Sequence, residues 1–243
     1  MTKTSEPKTT VNRFYETVSL GEEGGMFCLH LDGKNAKTPK RHLLATKYRP
    51  LAEQIVKEWD AITEEINFQA MAFTRLLSTA IDLGSDERDA WENIVVDYLK
   101  ADLLCHRAEL PAALVERQCE VWDPYLSFIL KKFGADPSIT AGIATVTHPP
   151  ALLEAFATYL KELSIEALLG VKCAAENSGS AMLAVALFDS FATVDEIFDA
   201  SRLDEHFQEE KWGVDAEAKA REQILRNEFY SIDRFLLMTA VQK

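Results

Sequence analysis

Carboxylates crowd one stretch of this chain. Between Thr193 and Glu217, TVDEIFDASRLDEHFQEEKWGVDAE, nine acids (195, 196, 199, 204, 205, 209, 210, 215 and 217) stand against Arg202 and Lys211. That net −7 is more than half of the −13 carried by the whole chain. Paired carboxylates act as general acid and base when one of them is desolvated, so hydrolysis is one chemistry this pattern could support. Docking of a basic or polar partner is a second, and a plain solvated helix face is the third. Thr193 and Glu196 have capping-box spacing, which predicts a helix starting there. At about 100° per residue, Asp204, Glu205, Gln208 and Glu209 share one face, with Ala200, Leu203 and Phe207 roughly opposite. Gly213 is placed to end this helix, and Trp212 is expected to pin that end by packing.

Other reactive residue types do not assemble into machinery. There is no G-x-S-x-G elbow, so Ser178 and Ser180 read as helix-start residues. Gly21, Gly24 and Gly25 are not followed by the GK[ST] of a phosphate loop. The five histidines lie in different elements without metal-ligand spacing, and His206 reads as an exposed helical residue. Cys105 and His106 are neighbours, but adjacent helical side chains point apart and make no nucleophile–base pair. The four cysteines (28, 105, 119, 173) are widely spaced and read as reduced, mostly buried thiols. The residues therefore predict no catalytic site, no metal and no cofactor.

The elements that must hold the acidic stretch are largely helical. Length 243, 47% hydrophobic and 27% charged residues describe an ordinary globular chain. Net charge −13 and a pI near 4.9 oppose nucleic-acid or anionic-membrane binding. The longest apolar run, Ala181–Phe188, is far short of the ~20 residues that span a bilayer. Residues 1–10 are polar and expected to be loose, without the apolar core or arginines of a leader. Strand-like patterns follow at Phe14–Leu20 and Gly25–Leu31, with a turn at Gly21–Gly25 between them. Asp32-Gly33 predicts a two-residue hairpin into Lys34–Thr38, and Leu43–Thr46 another short strand.

Helices are expected from Pro50, over Phe73–Leu83, from Asp86, over Pro111–Phe133 with a kink or break at Pro124, over Pro150–Leu163, Ser164–Ala175 and Ser180–Phe188, and over Asp215–Thr239. Gly134–Pro150 reads as irregular, with Ile139–Val146 extended. The fold class is α+β: a small N-terminal antiparallel β-rich domain with one helix, 1–68, then a larger all-α domain, 69–243. Ala181–Phe188 must be buried, which sets the acidic helix on the core beneath it.

Six segments in this order, LDGKNAKTP, AEQIVKEWDA, TRLLSTAID, DLLCHRA, QCEVWDPY and SRLDEHFQEEKWG, give the chain a family likeness. It resembles the assembly chaperones for the α subunit of F1 ATP synthase found in mitochondria and α-proteobacteria. The resemblance implies a monomeric non-enzyme that binds the unassembled α subunit and prevents its aggregation until a β subunit replaces it. It implies partner contacts at Asp204, Glu205, Gln208 and Glu209, with Arg202, Leu203, Trp212 and Gly213 supporting that motif. It further implies bacterial cytoplasm, or the mitochondrial matrix if the source is eukaryotic. A hydrolase built on the acidic cluster and a permanent structural subunit of a complex are the competing readings.

Overall fold

The computed structural model describes residues 11–142, 144–213 and 215–240, so the expectation for residues 1–10 lies outside it. Its residues fall into two compact units, 1–83 and 84–243. The boundary proposed at residue 68 falls within the first of these units.

In the first unit, β1 (Val11–Asn12) pairs antiparallel with β6 (Glu65–Ile66). β2 (Val18–Glu23) and β3 (Met26–Leu31) form a hairpin in register Val18↔Leu31 to Glu23↔Met26. The strand therefore runs through Gly21, Glu22 and Glu23, which were expected to turn. The turn is Gly24-Gly25 alone, both at positive φ (60° and 78°), as a tight hairpin requires. Asp32-Gly33 closes the predicted second hairpin into β4 (Lys34–Asn35), and β5 (Ala45–Thr46) pairs with β3. Both partner strands are shorter than expected. Helix α1 (Arg49–Asp60) starts on Pro50 and buries Leu51, Ala52, Ile55 and Trp59 against β2, β3 and β5.

Helix α2 (Ala72–Lys100) is continuous where two helices were expected. Gly84 is a contact rather than a stop: a Cβ there would meet Ile165 Cγ1 at 2.3 Å. The start of α2 is capped from α1, since the Glu58 carboxylate accepts from the backbone N–H of Phe73 (2.9 Å) and Thr74 (2.8 Å).

Among the described residues the second unit is helical apart from its loops and one parallel pair, β7 (His106–Arg107) with β8 (Thr140–Ala141). Helix α3 (Ala112–Phe133) passes through Pro124 unbroken. Both Pro124 and Glu120, whose carbonyl loses its partner, lie on the exposed side, within reach of solvent. Helices α4 (Pro150–Glu162) and α5 (Ile165–Ser178, capped by Ser164) lead to α6 (Ala181–Phe188, capped by Ser180). Every residue of α6 from Ala181 to Leu187 is buried, covered by α3 and α5 and by two later helices, α7 (Val194–Ser201) and α9 (Ala216–Thr239). At its start, Asp102 accepts from Met182 N–H at 3.0 Å and from Leu104 N–H at 3.1 Å. Gly170 lets α5 and α9 approach, since a Cβ would meet Leu236 Cδ2 at 2.4 Å. Ile224 on α9 is 67% exposed.

Candidate functional site: the acidic helices and their cleft

The acidic stretch folds as two helices, α7 and α8 (Leu203–Trp212), where one was predicted. The capping box at Thr193 forms: its backbone N–H donates to Glu196 Oε2 at 2.8 Å, and Glu196 N–H donates to its hydroxyl at 3.3 Å. The Thr193 backbone bond holds the Glu196 carboxyl below its usual range. The break falls at Arg202 (φ −115°, ψ 16°). Its guanidinium Nη2 donates to Asn177 O at 2.8 Å, near the C-terminus of α5, and Nη1 reaches Glu205 at 3.4 Å. Helix-end carbonyls are the groups such a cation satisfies best. Asp204 and Glu205 then occupy the first turn of α8, where the helix dipole favours carboxylates.

The four residues expected to meet a partner do not form one solvated face. Asp204 is half-buried, and its Oδ1 accepts from Gln118 Nε2 of α3 at 2.8 Å. The buried Gln118 in turn accepts from Ala108 N–H at 2.8 Å. Burial raises the Asp204 carboxyl above its ordinary range, the Gln118 bond opposes that, and Glu205 adds to it. Glu205 and Gln208 are exposed and Glu209 is half-buried. Leu203 and Phe207 are buried beneath them.

Trp212 corrects the sequence expectation. It is 79% exposed, because its helical position sets it among Glu205, Gln208 and Glu209 and away from Leu203 and Phe207. Gly213 (φ 85°, ψ 160°) ends α8 in a conformation that suits glycine.

Cations from distant segments hold the remaining acids. Arg226 of α9 bridges Asp195 (3.0 Å), Asp199 (2.6 Å) and Glu222 (3.4 Å), and Tyr230 donates to Asp195. Arg117 of α3 pairs with Glu210 at 2.7 Å and lies 5.2 Å from the Phe207 ring centroid. That pairing depresses the Glu210 carboxyl. His206, expected to be exposed, is half-buried and has Nε2 at 3.3 Å from Glu222. Among the described residues His206, Glu209 and Glu222 are the group whose ligand atoms come together, within 4.8 Å of one another. Glu222 shares its oxygen with Arg226, which a cation would have to displace. Arg117, Gln118, Glu222 and Arg226 were not selected from sequence. A pattern of helical faces does not say which helices adjoin.

Two depressions follow from this packing. One, about 510 Å³, is floored by Val121, Pro124, Tyr125, Ala192, Ala200 and Leu203 and walled by Phe191, which is 45% exposed and stacked on Phe128 at 4.5 Å. The other, about 550 Å³, is charged and lies along Glu209, Lys219, Glu222 and Arg226. They share Asp199, His206 and Glu210.

The hydrolase reading needs a carboxyl of raised pKa facing a pocket. Asp102 is the fully buried one, pushed up to about 6 by burial, but its oxygens are engaged by the N-terminus of α6. Cys105 and His106 are not helical: Cys105 ends a 3₁₀ turn and His106 begins β7. Burial, with Asp102 close by, raises the Cys105 thiol far beyond its ordinary value and leaves it inert.

Residues 12–130 match the family model described as ATP12 chaperone protein. The chain is 22% identical over 219 residues to the mitochondrial protein atp12 of Schizosaccharomyces pombe, covering 85% of this chain and 75% of that one. The solved structure of Atp12 from Paracoccus denitrificans superposes with a TM-score of 0.90 at 31% identity, covering 94% of this chain and 98% of that one. An aspartate-to-lysine variant of the same protein also gives 0.90, at 30% identity over the same shares. A protein of Agrobacterium tumefaciens gives 0.89 at 34% identity, covering 95% of this chain and 86% of that one. With such identity over nearly the full length of solved relatives and on the same fold, this chain belongs to the ATP12 chaperone family.

Proposed function

We propose that this chain is an assembly chaperone that binds the unassembled α subunit of F1 ATP synthase and prevents its aggregation until the β subunit takes its place. It works without catalysis or cofactor, as a monomer, in the bacterial cytoplasm or, in a eukaryote, the mitochondrial matrix. The observation that carries the reading is the outer face of α8. An indole that is 79% exposed sits among Glu205, Gln208 and Glu209 on a helix fixed through Arg202, Asp204 and Glu210. Exposed aromatic anchors ringed by polar groups are where interface binding energy concentrates. Subunits of obligate complexes expose large apolar surfaces when unpaired. A small aromatic contact steered by charge blocks such a surface yet releases it to the permanent partner. The test is aggregation of purified α subunit, followed by light scattering with and without this protein and then with β subunit added. Suppression followed by release into an α–β complex is the expected result. Unchanged aggregation refutes the reading, and retention in the finished complex makes the protein a structural subunit instead.

A further inference from the structure

The apolar and charged depressions of the second unit adjoin, and Asp199, His206 and Glu210 line both. We infer that together they form one trough, which receives a single client segment carrying large apolar side chains beside lysines or arginines. The inference rests on the chaperone reading and specifies the client chemistry that the trough accepts.

The apolar end has the chemistry of a side-chain slot. Tyr125 and Leu203 are buried in its floor, and Phe191 stands as a half-exposed wall held by stacking on Phe128 and an edge contact to Tyr125. A phenylalanine kept at the lip of a groove by two other rings is already ordered, so covering it costs little side-chain entropy. At about 510 Å³ the space suits docked side chains, and it adjoins the charged end along Asp199, His206 and Glu210. A small apolar ligand would require enclosure on most sides.

The charged end selects for cations. Its lining sets four carboxylates (Asp199, Glu209, Glu210 and Glu222) against Lys219 and Arg226. The Arg226 guanidinium is already shared among Asp195, Asp199 and Glu222. With Glu210 held by Arg117, Asp199, Glu209 and Glu222 still outnumber Lys219 and the shared Arg226, so an incoming lysine or arginine meets a negative surplus, whereas an acidic segment would be repelled. The adjacency of the two ends makes the occupant's apolar and basic residues neighbours, whichever way its chain runs.

The experiment installs the photocrosslinking residue benzoylphenylalanine at Ala192, in the apolar end, or at Lys219, in the charged end. Both positions are exposed enough to accept it. Each full-length variant is irradiated with purified unassembled α subunit, and the linked peptides are mapped by mass spectrometry. Both positions are expected to link to one segment, with apolar residues at the Ala192 end and basic residues at the Lys219 end. In parallel, Ala192→Trp should fill the slot and weaken α-subunit binding roughly tenfold. Phe191→Ser is the milder substitute should the tryptophan disturb folding, and Glu209→Lys should weaken binding roughly fivefold. If the α subunit is held normally but links at neither position, links through an acidic segment, or if a second copy of this chain is linked instead, the inference is overturned while the chaperone reading stands. If unmodified protein does not bind the α subunit at all, both fall.

Discussion

At the scale of single residues, Asp204 and Glu205 look alike in sequence but have opposite duties in the structure. Asp204 receives the amide of the buried Gln118, and Glu205 faces solvent beside Arg202. Asp204→Ala should cost about 1–3 kcal/mol in a chemical melt, since it strands a buried donor. Glu205→Lys with Gln208→Lys should leave stability within about 0.5 kcal/mol while weakening α-subunit binding. Equal loss of stability in the two proteins would show the face to be structural throughout. Trp212→Ala should lower affinity roughly tenfold or more with an unchanged melt, and unchanged affinity would remove the indole from the contact. The acids of this motif were legible in sequence because charge runs are local. Their partners were not, because Arg117, Gln118 and Arg226 arrive on other helices. Cys119, expected to be buried, is exposed on α3, whereas Cys28 and Cys105 are buried and Cys173 half-buried, and none of the four is in a disulfide. A thiol reagent should modify Cys119 rapidly in the native protein and reach Cys105 only on unfolding.

At the scale of elements, two sites show what helices require of each other. Gly84 normally weakens a helix by ~1 kcal/mol relative to alanine. Gly84→Ala should nevertheless destabilise by about 1–3 kcal/mol, because its Cβ collides with Ile165 near the root of that side chain. In an Ile165→Ala background the same change should become neutral or stabilising, and a cycle without that coupling would exclude the collision. Asp102 governs α6 in a pH-dependent way. Its carboxyl titrates at about 6 in the folded state against an ordinary 3.8, so its stabilising contribution is complete below about pH 4 and lost as pH rises through 6. The difference is roughly 3 kcal/mol at 1.36 kcal/mol per pH unit. Unfolding titrations should show wild type gaining on Asp102→Asn between pH 6.5 and 4, and parallel curves would refute this. Helix starts were readable in sequence because caps are local: Thr193, Ser164, Ser180 and Asp215 all cap as their side chains suggest. Breaks inside helices were misplaced. Gly84 and Pro124 are answered by a neighbouring side chain and by solvent, and Arg202 interrupts a helix for the sake of a carbonyl on α5.

At the scale of the whole molecule, net charge −13 acts before any contact forms. Association with the α subunit should slow on the order of tenfold between low and moderate salt while dissociation barely changes. A salt-independent association rate would mean that the acids do not steer the encounter. The α+β class, with its strands ahead of its helices, was legible from alternation and periodicity, because both are local patterns. Which helices enclose α6 was not, since seven successive buried residues look the same from every side. That enclosure has a consequence for biosynthesis. The strip Ala181–Leu187 leaves the ribosome before α9, which is part of its cover, has been made. At ~5–20 residues per second, it waits some seconds with that side bare. During translation this chain thus passes through the same vulnerable state as an unpaired subunit, and slowing the codons between α6 and α9 should increase its own need for chaperones.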